Sequence, residues 1–296
     1  MAVPTPKVEI GFDIVGANAN FFTLDSATKG RLDNATYRLS GTIFYDVTSK
    51  VKSIATRRGK NRQTDQFDGG LANIVLDNND RTFDPEYANS PYYGQIIPKR
   101  EVRIKSNGIY QYYGVIDDWN LQYTIDGDST ATFVASDGFV YLNNQTLTGG
   151  TAIAQTSGQR IEAILDDPSV QWPAANRNID TGVTNLGADV IAENTNVLSY
   201  LKLVETTENG RFFVSKDGKM TFQDRTIAPT STGSVELTDD NTGIGYSEMN
   251  VVYGSELLAN EVVVSSVITQ ATSTAIDEDS QNAYGIFNLT LTDLLM

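Results

Sequence analysis

The sequence contains no cysteine and no histidine in its 296 residues. Without cysteine there is no disulfide, no thiolate nucleophile and no iron–sulfur ligation, and without histidine there is neither a Ser-His-Asp triad nor an ordinary zinc site. Chemistry is then left to carboxylates, Lys, Tyr, Ser or an oxygen-bound metal. Long apolar runs are also missing, as is a basic-plus-apolar leader, so the sequence predicts neither a membrane span nor a secretory signal. No low-complexity tract or aligned internal repeat is present, which argues against a solenoid or propeller. Basic residues are few, 22 against 37 acidic ones, for a formal charge of −15. Such a field repels nucleic acid and anionic membranes.

What is present is ordinary for a folded protein. Hydrophobic residues make up 40% and charged residues 20% of the chain, which sets it apart from disordered sequences. One segment runs against the overall charge: residues 50–62, KVKSIATRRGKNR, hold six basic residues and no acid. A solvated strand edge, a contact with an acidic subunit and a phosphate contact are all compatible with that composition.

The chain is organised around residues 69–104. A first strand, LANIVL, alternates Ala72, Ile74 and Leu76 against Leu71, Asn73 and Val75, and a second places Val102 and Ile104 among charged residues. Between them lie Asp84-Pro85 and Ser90-Pro91 in a loop dense in Asn, Asp and Tyr, a composition suited to ordered turns rather than a helix or a plain hairpin.

Elsewhere, residues 8–14, 37–47 and 48–58 have strand texture, the last with Val51 and Ile54 inward, while Phe21, Phe22 and Leu24 precede a polar segment, 25–34. Residues 110–120, 121–125 and 130–135 predict further strands around a turn at Asp126-Gly127, in a barrel or sandwich. The texture then changes. Ser157 caps a helix carrying Ile161, Ile164 and Leu165 on one face, and Pro168 stops it. A second helix begins at Asn194 or Thr195 and ends at Gly210 as a left-handed cap, and a hairpin over 211–222 turns at Asp217-Gly218. Strand texture returns around Val235, at 250–254 and 260–268, and in 286–295, whose final Leu-Leu-Met leaves apolar surface uncovered unless a partner or further chain covers it. The expected organisation is mainly β (α+β). It comprises an N-terminal β domain over 1–149 with the loop 77–100, a small α+β module over 150–227, and a second β domain over 228–296.

Catalytic patterns are weak. Asp77-Asn78-Asn79-Asp80 resembles the start of a calcium loop, but Arg81 takes a ligand position and Thr82 replaces the required Gly. The pairs Asp117-Asp118, Asp166-Asp167 and Asp239-Asp240 are adjacent in sequence, and strand neighbours point apart, which suits turns and caps better than glycoside hydrolysis. Tyr92, Tyr93, Tyr110, Tyr112, Tyr113 and Trp119 offer rings for stacking on sugars, or for core packing. No catalytic residue, cofactor site or metal site is expected.

Residues 58–104, RGKNRQTDQFDGGLANIVLDNNDRTFDPEYANSPYYGQIIPKREVRI, resemble the N-terminal domain of minor tail proteins of long-tailed bacteriophages. The shared pattern is RGR, a Gly before a strand, then LxNxDRxFDPxYxxSPYxGxIxPxRxVxI. It is met here by Arg58-Gly59, Gly70, Leu76, Asn78, Asp80-Arg81, Phe83-Asp84-Pro85, Tyr87, Ser90-Pro91-Tyr92, Gly94, Ile96, Pro98, Arg100, Val102 and Ile104, with Lys60 in place of the second Arg. Residues 114–119, 135–139, 158–165, 180–182 and 196–225 are similar to later stretches of the family in the same order.

The resemblance implies assembly rather than catalysis. It points to a virion protein of the tail-tip or baseplate hub, in which two tail-tube-like β-barrel or sandwich domains flank an α+β insertion. Three copies would form a pseudo-sixfold ring against the tail tube. Implied partners are further copies of the chain, the distal tail ring, the tube, the end of the tape measure and a fibre or spike, with DNA passing only transiently through the lumen. Related chains usually continue past the equivalent of 286–296. The loop 77–100 is the expected contact element, anchored by Arg81, Phe83, Tyr87, Tyr92, Tyr93 and Arg100. A sixfold distal tail ring protein and a carbohydrate-binding module for the host envelope are the alternatives.

Overall fold

The computed structural model describes residues 5–13, 26, 42–60, 65–125, 127–227, 237–239, 242, 244–246, 248–251, 254–256 and 258–296. The expectations for Phe21, Phe22, Leu24, the segment 25–34 apart from Ser26, residues 37–41, Asp126, Val235 and Asp240 lie outside the described residues.

Seven strands, β1 (Pro6–Asp13), β2 (Thr42–Asp46), β3 (Val51–Gly59), β4 (Asp68–Asp77), β5 (Glu101–Ser106), β6 (Ile109–Gln122) and β7 (Thr130–Ser136), form one sheet in the order β2-β1-β5-β6-β7-β4-β3. All neighbours are antiparallel. The period-two pattern decides which face is buried: Ala72, Ile74 and Leu76 of β4, Val102 and Ile104 of β5, and Ala131, Phe133 and Ala135 of β7 share one core with Val8, Ile10 and Phe12 of β1. Among the described residues β2 and β3 are end strands, so the sheet is open rather than a closed barrel. Where the sequence predicts two strands, β6 is one strand of 14 residues. Its register shifts between Ile116 and Asp118, and this bulge absorbs Asp117 without breaking the ladder.

On β1, Glu9 is almost buried among three cations, with Lys7 at 2.7 Å, Arg103 at 2.5 Å and Lys105 at 3.1 Å. Burial opposes its ionisation, but hydrogen bonds from the three cations outweigh burial and bring the carboxyl down to about 2. A depressed folded value makes this contribution complete above the ordinary carboxylate range and progressively lost as pH falls from about 4.5 towards 2. Glu9→Gln is therefore expected to lower stability at neutral pH by about 3 kcal/mol and to flatten its decline in acid. Urea unfolding at pH 7 and pH 3 tests this, and equal acid slopes for the two proteins would refute it.

A second core gathers α1 (Phe139–Asn143), α2 (Ser157–Leu165), β10 (Arg177–Ile179), β11 (Asn185–Leu186), β12 (Asp189–Ile191), α3 (Val197–Glu208), β13 (Arg211–Val214) and β14 (Met220–Gln223), while β8 (Gly150–Ala152) and β9 (Gln155–Thr156) pair with β12 and β11 at its edge. The cap of α2 is Thr156, one residue before the expected Ser157. Thr156 and Gln159 form a reciprocal capping box, while Ser157 is buried and its hydroxyl donates to Glu208 at 2.6 Å. The left-handed residue that ends α3 is Asn209, at φ 54°, rather than Gly210. The hairpin of β13 and β14 turns at Gly218 as expected.

Beyond β15 (Leu237–Thr238) and β16 (Ile244–Gly245), the strands β17 (Glu261–Ser266), β18 (Thr272–Ile276) and β19 (Asn288–Leu294), with α4 (Glu278–Tyr284) between the last two, form a sheet in the order β18-β17-β19. The expected uncovered Leu-Leu end is corrected here. Leu294 and Leu295 are 3% and 1% exposed, because the chain turns back into its own second core, where Leu295 packs with residues of α2 and α3. The Leu295 N–H donates to Thr207 Oγ1 at 3.2 Å, and its carbonyl accepts from the Gly187 N–H at 2.8 Å.

Candidate functional site

The loop between β4 and β5 is a ladder of turns with a three-residue step. The N–H groups of Arg81, Asp84, Tyr87, Ser90 and Tyr93 donate to the carbonyls of Asn78, Arg81, Asp84, Tyr87 and Ser90 at 2.9 to 3.2 Å. Pro85 and Pro91 each stand second in a turn, where a fixed φ helps, and Asp84 and Ser90 stand first. The side chains of those first residues accept from the N–H two positions on, Glu86 at 2.9 Å and Tyr92 at 3.0 Å. Asn78 Oδ1 accepts from the Phe83 N–H at 2.8 Å. The dipeptides Asp-Pro and Ser-Pro are thus turn chemistry inside the loop.

The six expected anchors divide. Phe83 is fully buried, stacked on Tyr92 at 5.7 Å and Trp119 at 6.2 Å. Tyr92 also lies 4.6 Å from Phe12. Arg100 is buried and donates to the carbonyl and side-chain oxygens of Gln95 at 3.1 and 2.7 Å. Phe83 and Tyr92 fasten the loop to the sheet, and Arg100 braces the end of the loop internally. Arg81, Tyr87 and Tyr93 reach outward: Arg81 stacks on the Tyr87 ring at 4.7 Å while holding Asp84 at 2.7 Å, and Tyr93 is 56% exposed. Arg81 and Lys99 adopt φ of 60° and 65°, a left-handed conformation that costs non-glycine residues about 1 kcal/mol each.

Three other parts of the resemblance meet where the sheet joins the second core. Arg58 donates to Val214 O at 2.8 Å and Gln111 O at 3.1 Å. Asp137 accepts from the N–H of Gly70 at 2.5 Å and of Phe139 at 3.0 Å. A Cβ on Gly70 would lie 2.8 Å from that carboxylate, so the position admits only glycine at this separation. Burial pushes Asp137 up to about 6 against the pull of those N–H groups and of Arg58. Nearby, Lys202 donates to Phe67 O at 2.8 Å, Phe212 O at 3.1 Å and Glu205 at 2.8 Å. Burial lowers its pKa and Glu205 opposes that shift.

The basic segment is largely matched within the chain. Lys50 pairs with Asp80, Lys52 with Asp128 and Arg57 with Asp68, and Lys60 lies over the Phe67 ring; Arg62 lies outside the described residues. In the calcium-like segment, Asp77 accepts from the Asn79 N–H and Asp80 from the Thr82 N–H. Among the described residues no group of three acidic side chains is placed to hold a metal ion. Asp117 is engaged by Lys99 and Ser136, Asp166 by Arg177 and Asp167 by Ser169. Tyr112 is fully buried, and Trp119 packs on Phe133 at 5.0 Å and donates to Ile97 O.

Sequence reasoning misses Arg160. It is fully buried in α2, where Nη1 donates to Tyr200 Oη at 2.6 Å and Nη2 to the carbonyls of Ile153 and Gly187 at 2.7 and 2.8 Å. The signal is a charged residue one turn ahead of Ile164 on the apolar face of an amphipathic helix.

No protein-family model and no curated protein matches the sequence. Among solved structures, the chain is similar to the 43 kDa tail protein of prophage MuSo2 from Shewanella oneidensis, with a TM-score of 0.54 and 15% identity over 85% of this chain and 69% of that one. It is also similar to the tail protein from Neisseria meningitidis MC58, with a TM-score of 0.56 and 10% identity over 86% and 68% of the two chains. The mainly β, α+β architecture described above is therefore one that these two tail proteins also adopt.

Proposed function

We propose that this chain is a structural protein of a phage tail tip, forming a hub ring that closes the tail tube and joins it to the baseplate and host-recognition apparatus. The observation that carries this reading is the fold shared with two solved tail proteins, in a chain whose residues 58–104 follow the minor tail protein pattern. In this reading the seven-stranded sheet and the sheet of β17 to β19 belong to two tube-like β domains, with the helical module inserted between them. Three copies then match a sixfold tube. Arg81, Tyr87 and Tyr93 form the outward contact of the loop. A net charge of −15 keeps passing DNA off the wall by repulsion.

Subunit stoichiometry tests the proposal, by native mass measurement or by rotational symmetry in images of particles. The expected result is a trimer, or threefold symmetry at the tail tip. The pair Tyr87→Ala and Tyr93→Ala is expected to weaken ring formation at least about tenfold while leaving monomer stability within about 1 kcal/mol, as for exposed interface anchors. Sixfold symmetry would shift the assignment to the distal tail ring. A protein that remains monomeric in the presence of tail proteins, or rings indifferent to the double substitution, would sink the hub reading.

A further inference from the structure

Where the seven-stranded sheet meets the helical module, Arg58, Lys202 and Asp137 each clasp backbone groups on both sides of the joint. Arg58 of β3 donates to Gln111 O of the sheet and Val214 O of the module, at 3.1 and 2.8 Å. Lys202 of α3 donates to Phe67 O beside β4 and to Phe212 O of β13, at 2.8 and 3.1 Å. Asp137 does the converse. One of its oxygens accepts from the Gly70 N–H of β4 at 2.5 Å and the other from the Phe139 N–H of α1 at 3.0 Å. It is also the crossing itself, since β7 ends at Ser136 and α1 begins at Phe139. Its own N–H returns to Gly70 O at 3.0 Å.

The side chain is buried, where a neutral carboxyl is less costly than a carboxylate. Around it stand Arg58, Asp68 of β4, Tyr112 of β6, Lys202 and Glu205 of α3, and Asp217 in the turn after β13. Glu205 pairs with Lys202 at 2.8 Å, and the Tyr112 hydroxyl donates to Ala135 O at 2.8 Å. The two N–H groups, Arg58 and Lys202 favour the ionised form, but burial outweighs them and raises the group from 3.8 to about 6. A cavity of about 230 Å³, lined by Asp137, Arg58 and Gly70, lies in the joint, so packing there is looser than in the cores on either side.

We propose that this joint is a proton-operated latch: lifting the crossing off β4 hydrates Asp137 and favours its ionised form, so mild acid holds the sheet and the module together more tightly than neutral pH does. A carboxyl that keeps its proton better in the closed joint than in the open one favours closure as pH falls from about 6 towards 4. Protonation gives up one of the two N–H bonds, but it removes a buried charge, and the second effect is the larger. The latch does not depend on the tail-tip reading.

Hydrogen exchange of the whole protein, corrected for the intrinsic pH dependence of exchange, reads the latch at the N–H of residue 137, which is bonded to Gly70 O and not to a carboxylate. Its protection is expected to be about twentyfold greater at pH 4.5 than at pH 7, the ratio that values of about 6 closed and 3.8 open imply. It is also expected to exchange faster than Phe133 and Val204, which lie inside the two cores, because the joint parts without unfolding either. Asp137→Asn keeps the shape and cannot titrate, so residue 137 is expected to be equally protected at both pH values; Asp68→Asn is expected to leave the ratio intact. In the parent protein the carboxyl carbon of Asp137 is expected to titrate by NMR with a midpoint near 6, a measurement that does not require the Asn variant to fold. Equal protection at the two pH values in the parent, a ratio that survives in Asp137→Asn or vanishes in Asp68→Asn, a carboxyl midpoint near 4, or exchange at residue 137 no faster than at Phe133 and Val204 would overturn the proposal.

Discussion

Replacing Phe83 by alanine is expected to cost about 4 kcal/mol of stability and to lower the unfolding temperature by roughly 10 °C. The side chain is fully buried although it belongs to a loop. It is stacked between Tyr92 and Trp119, and its own N–H is held by Asn78. Truncation leaves a cavity that the surroundings cannot readily close, because Trp119 is braced by Phe133 and by its bond to Ile97 O, and Tyr92 by Phe12. Urea and thermal unfolding measure the loss. A cost below about 1 kcal/mol, the scale of an exposed position, would mean that the turn ladder is not seated on the sheet as described. Tyr93→Ala supplies the contrast on the same loop, since a side chain 56% exposed has little packing to lose.

Gly158→Ala should be nearly as damaging although it adds one methyl group. A Cβ at this position would lie 1.8 Å from Asp180 O and 2.6 Å from Thr181 O, both backbone atoms that cannot rotate away. The Gly158 N–H donates to Thr181 O at 3.0 Å, so the segment 180–182 is drawn onto the first turn of α2 and has no room to retreat. Helix propensity alone would make alanine better by about 1 kcal/mol. The close approach reverses that sign, with an expected net loss of about 3 kcal/mol, at the upper range of overpacking. Chemical unfolding monitored by the fluorescence of Trp172, which lies against this core, reads the effect. An alanine variant as stable as the parent, or more so, would show that 180–182 does not press on the helix.

The parts legible in the sequence are those governed by local periodicity and turn chemistry. Ala72, Ile74 and Leu76 declare the inner face of β4 by alternation, and Asp217-Gly218 declares its hairpin, because each signal lies within a few residues of its effect. Thr156 is hidden as a cap because Ser157 is an equally good capping residue by type. Only the distant Glu208, which claims the Ser157 hydroxyl, separates them. Asn209 displaces Gly210 because asparagine also tolerates the left-handed region, and sequence favours the glycine. The loop 77–100 is legible as ordered, but the division of its aromatic and Arg residues between inside and outside is not. Phe83 and Tyr93 carry the same kind of ring, and the three-residue step of the ladder decides which one meets Trp119. Arg160 stays unseen because its partners are carbonyls at Ile153 and Gly187 and a hydroxyl at Tyr200, groups that leave no charge pattern in a sequence.

Leu295, seated in the second core beside helices formed far earlier in the chain, bears on the order in which the molecule can form. Its N–H meets a hydroxyl 88 positions away, and closing a loop of that size costs on the order of 4 kcal/mol in chain entropy. Burying one leucine returns roughly 2 kcal/mol, and Leu294 with the two hydrogen bonds of Leu295 adds roughly 4 more. The gain exceeds the cost by only about 2 kcal/mol, so this strand is not expected to nucleate the fold. It is expected to dock after α2, α3 and the hairpin of β13 and β14 have made a surface to receive it. The helical module completes its core only with residue 295 in place, so its closure is expected to be a late event in folding rather than the early, local one its helices suggest.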